Sequence, residues 1–350
     1  MRRLPIYFLI DVSESMIGNP IANVEKGIES IIRELKTNPV ALETVWISII
    51  VFAGKAKTII PLQDIISFYP PKFPIGSGTS LGYGIEHLIT TLDTDLVKTT
   101  REKKGDWKPI IFLFTDGVPT DDSSKAINAW NIKWRNMANM IAISLGSGAD
   151  KNVLGQLTDN VLLFKDNDIN SYKVFFKWVT DSIKTNSQNI EKCENAFELD
   201  TLHKEHLEKI DLSKKEYNSN KKADNNFVVL EGKCQNTKEK YLIKYKKNFK
   251  SKKFAGIPLK TKSYQLIGTF LVDDMYDKLS KVSQKKHQVN TDELVGFPSC
   301  PSCGNQTGFA FCYCGQIHCI GQEKLNTCPS CGNTAEYTYS DNFKVNRKQG

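Results

Sequence analysis

The 350-residue chain has no run approaching the roughly 18 apolar residues of a membrane span, so a membrane protein is not expected. Its start, MRRLPIYFLID, imitates a signal peptide until Asp11 ends the apolar run, and no small-residue cleavage site follows. Secretion is therefore not expected either. Histidines are few, and no G-x-S-x-G elbow exists to present a serine nucleophile. The glycine-rich stretch Gly76-Ser77-Gly78-Thr79-Ser80-Leu81 lacks the lysine of a nucleotide P-loop, which argues against phosphate cradling there. No repeat of solenoid period is found, and residues 203–262 contain no arginine at all.

What is present is unevenly spread. Hydrophobic residues make up 40% and charged residues 25%, which suits a soluble protein with a sizeable core, and the length suits more than one domain. Residues 1–190 carry 21 Lys and Arg against 20 Asp and Glu, so they are almost neutral. Residues 203–262 carry 17 Lys against 7 acids, more than the whole net charge of +8. Of the 9 cysteines, all but Cys193 and Cys234 fall between 300 and 331, and those two read as ordinary unpaired thiols.

The first 187 residues have an α/β rhythm. Short apolar runs (Leu4–Ile10, Val45–Phe52, Ile110–Phe114, Met140–Leu145 and Val161–Phe164) lack period-2 alternation, as strands buried on both faces do. Between them, Ile21–Leu35 sets Val24, Ile28, Ile31, Ile32 and Leu35 on one stripe. Leu81–Leu92 does likewise with Ile85, Leu88, Ile89 and Leu92, and Tyr172–Ile183 with Phe175, Phe176 and Val179. The expected fold class is α/β, a doubly wound, mostly parallel, Rossmann-like sheet, followed by a small β-rich C-terminal domain. Residues 188–294 read as a lysine-rich linker and small β unit with strands at Phe227–Leu230, Tyr241–Tyr245 and Tyr264–Val272. Tyr241, Ile243 and Tyr245 fall on one face of the second of these, Lys244 and Lys246 on the other. Residues 295–340 form a cysteine-rich region and 341–350 a tail.

Two apolar strands run into acidic motifs, Asp11-Val12-Ser13-Glu14-Ser15 and Thr115-Asp116-Gly117. If these strands are neighbours, Asp11 and Asp116 converge in the crevice at their carboxyl ends. Two carboxylates there repel unless a cation lies between them. Ser13 and Ser15 can turn their hydroxyls inward, and such a short set of hard oxygens favours Mg²⁺ or Mn²⁺ with waters over a Ca²⁺ cage. A haloacid-dehalogenase-type phosphatase also starts with a strand-end Asp, but it needs a second Asp as general acid where Ser13 stands.

In order and spacing, Asp-x-Ser-x-Ser, Gly78-Thr79 and Thr115-Asp116-Gly117 resemble the von Willebrand factor A domain over about residues 1–187. The resemblance implies a metal-ion-dependent adhesion site. Ser13 and Ser15 would bind the ion directly, Asp11 and Asp116 directly or through water, and Thr79 according to conformational state. An acidic group from a protein partner would complete the coordination.

The C-terminal cysteines come as Cys300-Pro-Ser-Cys303-Gly, Cys312-Tyr-Cys314-Gly, His318-Cys319 and Cys328-Pro-Ser-Cys331-Gly. Paired C-P-x-C-G knuckles are a strong zinc signal, and seven cysteines with His318 would furnish two tetrahedral, structural Zn²⁺ sites. A ribbon would pair Cys300 and Cys303 with Cys328 and Cys331; a cross-brace would interleave them. His318 and Cys319 point to opposite faces of an extended strand, which makes His318 the weakest ligand. Disulfides are not expected in a chain read as non-secreted.

An A-type domain followed by such a tail resembles the TerY family of tellurium-resistance-associated proteins. That resemblance implies a cytoplasmic bacterial adaptor, not an enzyme, acting in stress signalling beside a PP2C-like phosphatase and a Ser/Thr-type kinase. Two other readings compete. The basic block with Tyr241, Tyr245, Phe249 and Phe254 could bind nucleic acid, although base readout favours arginine. A Mg²⁺-dependent phosphoryl-transfer enzyme would need a positioned nucleophile that the motifs do not supply.

Overall fold

A computed structural model describes residues 2–102, 104–145, 148–164, 176–184, 207–209, 226–248, 252–254, 257–259, 263–281, 287–340 and 342–348. The first half is built on seven strands: β1 (Leu4–Asp11), β2 (Val45–Phe52), β3 (Ala56–Asp64), β4 (Ile110–Thr115), β5 (Asn139–Leu145), β6 (Val161–Phe164) and β7 (Leu207–Lys209). Their spatial order is β3-β2-β1-β4-β5-β6-β7, with antiparallel pairs only at the two edges. All five sequence-expected strands are present and mutually parallel. Edge strand β3 was not read in the sequence, because its exposure does not alternate and Pro61 interrupts its apolar residues.

The helices lie on both faces. In chain order they are α1 (Asn19–Leu35), α2 (Pro39–Thr44), α3 (Leu81–Asp95), α4 (Ser124–Lys133), α5 (Lys151–Leu157) and α6 over 176–184. Alternate residues of β1 serve two separate cores, because successive strand side chains point to opposite faces. Ile6, Phe8 and Ile10 pack with Val24, Ile28 and Ile31 of α1 and with Phe176, Val179 and Ile183 of α6. Tyr7 and Leu9 pack with Ile85, Leu88 and Leu92 of α3 and with Trp130 of α4. This double burial explains the continuous apolar runs. Phe175 lies outside the described residues.

The second half is one folded unit. Strands β8 (Phe227–Lys233), β9 (Lys240–Lys247), β10 (Lys252–Phe254), β11 (Ile257–Leu259) and β12 (Tyr264–Leu271) lead to the short helix α7 (Met275–Leu279). After it come β13 (His287–Asn290), β14 (Leu294–Val295), β15 (Thr307–Phe311), β16 (Ile317–Ile320), β17 (Asn326–Thr327), β18 (Thr334–Ala335) and β19 (Lys344–Arg347). A six-stranded sheet in the order β14-β12-β9-β8-β16-β15 merges the expected β unit with the cysteine-rich region, so the expected division at 294/295 runs through one sheet. The expected tail is folded into the same unit, since β19 pairs with β13 in a separate two-stranded sheet and Lys348 N–H donates to Val229 O of β8 at 2.8 Å.

Strand β9 is buried on both faces. Tyr241, Ile243 and Tyr245 enter the C-terminal core. Leu242, together with Val229 of β8 and Tyr276 and Leu279 of α7, joins the core of the first domain instead. The two halves therefore share a continuous apolar interior, and Lys244, on the same face as Leu242, is only 2% exposed.

One contact tests the helical layer. A Cβ placed on Gly27 of α1 would lie 1.9 Å from the Phe176 ring, itself buried against Phe114. Gly27→Ala should therefore lower stability by about 1–3 kcal/mol through overpacking. Thermal unfolding should show the loss, and Phe176→Leu in the same chain should restore part of it.

Candidate metal centres

The carboxyl end of the central strand pair carries the first site. In the β1–β4 pairing Ile10 stands opposite Phe114, so Asp11 is level with Thr115, and both motifs emerge on one edge. The backbone then stitches three loops together. Val12 N–H donates to Phe52 O at 2.8 Å, Gly76 N–H to Val12 O at 2.9 Å, and Thr120 N–H to Thr79 O at 2.8 Å. Gly78 turns the middle loop at φ +94°, a conformation that glycine adopts without a Cβ penalty.

All five sequence-expected oxygen donors come together, each nearly inaccessible to solvent. Ser13 Oγ lies 3.0 Å from Ser15 Oγ, and Ser15 Oγ donates to Asp116 Oδ1 at 2.6 Å. Asp11 Oδ1 accepts from Ser13 N–H at 2.9 Å, and Asp11 Oδ2 accepts from Thr115 Oγ1 at 2.6 Å. Thr79 lies on the same side of the site: a Cβ on Gly117 would fall 3.5 Å from its Oγ1 and 3.8 Å from Ser15 Oγ. Thr79 Oγ1 is itself buried without a hydrogen-bond partner. Leaving a buried hydroxyl unmatched costs about 1–3 kcal/mol, which a cation among these oxygens would relieve. The donor set, all hard oxygen, fits Mg²⁺ or Mn²⁺.

Sequence reasoning missed two groups here. Thr115 was read only as part of its motif, yet its hydroxyl fixes Asp11. Glu14, between the two serines, points the other way and is fully buried, with Oε1 accepting from Tyr276 Oη at 2.6 Å and Oε2 unpartnered. Burial pushes the Glu14 carboxyl up to about 7, against the pull of Tyr276. Burial likewise raises Asp11 to about 6, although Thr115 and Ser13 hydrogen bonds favour its charged form. A cation must therefore displace a proton from Asp11 in acid. Titrated with Mn²⁺ by calorimetry, the affinity should be flat above about pH 6.5 and fall about tenfold per pH unit below 6.

The cysteines form two further groups, each with its sulfur atoms within 4.8 Å of one another. Cys312, Cys314, Cys328 and Cys331 make one; Cys234, Cys300, Cys303 and Cys319 make the other. Adjacent sulfurs stand 3.7–3.9 Å apart (Cys303–Cys319, Cys312–Cys331, Cys314–Cys328 and Cys234–Cys319). That is far from a disulfide bond of about 2.05 Å. It is instead the edge, roughly 3.8 Å, of a tetrahedron whose centre lies about 2.3 Å from each sulfur, the Zn–S distance. Both groups could hold zinc. Burial of the Cys234 thiol is outweighed by hydrogen bonds from Thr237 and Asn236 that hold it down to about 6. Burial and neighbouring thiols push Cys319 up. Four such thiols cannot all ionise together without a cation among them.

This arrangement fits the cross-brace alternative, not the ribbon, and corrects the expected ligand set at one position. The knuckles do not share a metal position in the ribbon manner; Cys300–Cys303 groups with Cys319 and Cys328–Cys331 with Cys312 and Cys314, so the two sets interleave along the chain. His318 belongs to neither group, and Cys234 takes the eighth place. The reason is strand geometry. In β16 His318 and Cys319 face opposite ways, and parallel pairing of β16 with β8 brings Cys234, just past the end of β8, beside Cys319. His318 has no nitrogen left for a metal. Its Nδ1 lies 2.9 Å from Cys319 O, which can only accept, so Nδ1–H donates. Burial keeps the ring neutral, and Nε2 accepts from Tyr337 Oη at 2.8 Å. Cys193 lies outside the described residues. Cys234→Ser should therefore halve the zinc released from purified protein in a colorimetric thiol-blocking assay, whereas His318→Ala should leave it unchanged.

The sequence matches the von Willebrand factor type A domain over residues 6–178 and the TerY-C metal binding domain over residues 224–350. No curated relative matches it significantly. Among solved structures it is similar to proximal thread matrix protein 1 of the mussel byssus, at 20% identity over 51% of this chain and 48% of that one, with a TM-score of 0.38. A von Willebrand factor type A protein from Catenulispora acidiphila is 14% identical over 52% of this chain and 42% of that one, with a TM-score of 0.38. The ArnB paralog VWA2 from Sulfolobus acidocaldarius is 11% identical over 79% and 68%, with a TM-score of 0.39. The chain thus spans less than half the length of the first two. Among the described residues no helix is long and apolar enough to cross a membrane.

Proposed function

The chain belongs to the TerY-type von Willebrand factor A proteins, and from that premise we propose that its strand-end oxygens hold Mg²⁺ or Mn²⁺ and capture an acidic group of a protein partner. In this reading the protein is a cytoplasmic adaptor in bacterial stress or tellurium-resistance signalling, and its partner is a PP2C-like phosphatase, a Ser/Thr-type kinase or both. The two cysteine groups hold structural zinc and keep the C-terminal unit folded, since four thiolates around each ion leave no open position for chemistry.

The observation that carries the proposal is the unpartnered Thr79 Oγ1, buried beside a site in which Ser13, Ser15 and Asp116 are linked by hydrogen bonds and Asp11 is held by Thr115 and Ser13. A binding role is further supported by how the site's groups are occupied. Asp11 is engaged by Thr115 and Ser13, and Asp116 by Ser15, so neither carboxylate stands ready to take a proton from a nucleophile. The basic block also spends part of its charge internally. Lys240 pairs with Asp277 at 2.6 Å, and Lys244 is buried, which weighs against a nucleic-acid face built on those lysines.

Asp116→Ala should abolish Mn²⁺ binding while leaving the thermal midpoint within a few degrees. In affinity capture from the native host in Mg²⁺ buffer, it should also remove the proteins that chelator elutes from the wild type. Capture that is equal for both proteins and insensitive to chelator would sink the proposal.

A further inference from the structure

The C-terminal unit does not merely follow the first domain; it grips the loop that carries two of the expected metal ligands. Lys244, in the middle of β9, reaches across the domain boundary. Its Nζ donates to Ser15 O at 2.5 Å and to Ile17 O at 2.9 Å, and its ammonium also sits 4.6 Å from the Phe227 ring centroid. A buried ammonium is retained only where its donors are matched. Here two of the three go to backbone carbonyls of the short 3₁₀ turn Glu14–Met16 and the residue after it. The same turn is held from a second direction, because Tyr276 of α7 donates to Glu14.

The grip extends to the loop bearing Thr79 and to the β2–β3 turn beside it. Ser77 N–H donates to Ser280 Oγ at 2.9 Å, and Lys55 N–H to Leu279 O at 2.9 Å. Around them the fit is close. A Cβ on Gly76 would come within 2.7 Å of Leu279, and one on Gly54 within 2.3 Å of the Lys281 backbone nitrogen. Glu14 thus marks a division of labour within one motif. Odd positions 13 and 15 aim at the candidate cation, and position 14 aims at the C-terminal unit.

We propose that Lys244 and Tyr276 are positioning residues for the strand-end site, holding the Ser13–Ile17 turn so that both serine hydroxyls face Asp116. The inference rests on the reading that this site binds a divalent cation. It makes cation affinity a property of both domains, because the groups that shape the site lie more than 200 residues away from it in sequence.

The test uses the full chain and Mn²⁺ as probe. Electron paramagnetic resonance gives the Kd, and hydrogen exchange followed by mass spectrometry reports on the segment 12–18. Lys244→Met and Tyr276→Phe should each speed exchange of that segment and weaken Mn²⁺ binding, by about tenfold where a charged hydrogen bond is lost. Tyr276→Phe removes a single oxygen, so it still decides the matter if Lys244→Met fails to fold. The Lys244 charge by itself would repel a cation; tighter Mn²⁺ binding by Lys244→Met would show that repulsion outweighs positioning and would overturn the inference. Wild-type binding matched by both variants, with unchanged exchange, overturns this inference alone. A wild type that binds no Mn²⁺, or an Asp116→Ala variant that binds it equally well, overturns the underlying reading together with it.

Discussion

Parallel pairing of β1 with β4 is the constraint on which the rest of this molecule turns. It sets two acidic motifs, about a hundred residues apart in sequence, on one edge of the sheet, in a place with almost no solvent to screen them. Charge of one sign gathered there has to be offset, and the surrounding loops are organised to that end. Thr115 and Ser13 hold Asp11, Ser15 holds Asp116, and backbone bonds tie the β1 end to the Gly76–Thr79 loop and that loop to Thr120. The two apolar cores on either face of the sheet fix the strands in this order, so the geometry of the site is inherited from the packing of β1.

The same chain contains donor sets of opposite chemical character. Hard oxygen donors meet at the strand ends, while eight soft sulfurs meet in two groups in the C-terminal unit. Hard and soft donors select different ions, so the two kinds of centre need not compete for one metal. They differ in architectural role as well. The oxygen site sits on loops at the edge of a sheet that is already stable through burial. The sulfur sites tie together short strands, knuckles and turns whose own apolar core is small.

How much was legible in the sequence depended on whether the signal was local. Asp11, Ser13, Ser15 and Asp116 lie in compact motifs directly after apolar runs, and hydrogen bonds join Ser13, Ser15 and Asp116 at the strand ends, with Asp11 bound to the Ser13 N–H beside them. The strands and the stripes of α1 and α3 were equally readable, since a doubly buried strand and an amphipathic helix write themselves into the order of their own residues. Cys234 was missed because its partners lie at least 66 residues further on, and only the pairing of β8 with β16 reveals the link. His318 was included because it sits among cysteines, although strand alternation already pointed it the wrong way. Lys244 was legible as the opposite face of β9 from Tyr241 and Tyr245, but nothing local says that this face meets another domain instead of water. Leu242, alongside it, was the available hint: an apolar residue on the lysine face.

The Lys244 contact with Ser15 also has a meaning in time. Chains grow from the amino end at roughly 5–20 residues per second and domains fold as units while they emerge. The α/β sheet can form while the lysine that will hold its loop does not yet exist, and 229 residues separate the two partners. A newborn first domain, whose last strand β7 ends at Lys209, thus spends on the order of a few seconds with its Ser13–Ile17 turn ungoverned while the chain grows on to Lys244. During that interval the motif is complete in composition but not in arrangement, and maturation of the site is the docking of one finished domain onto another.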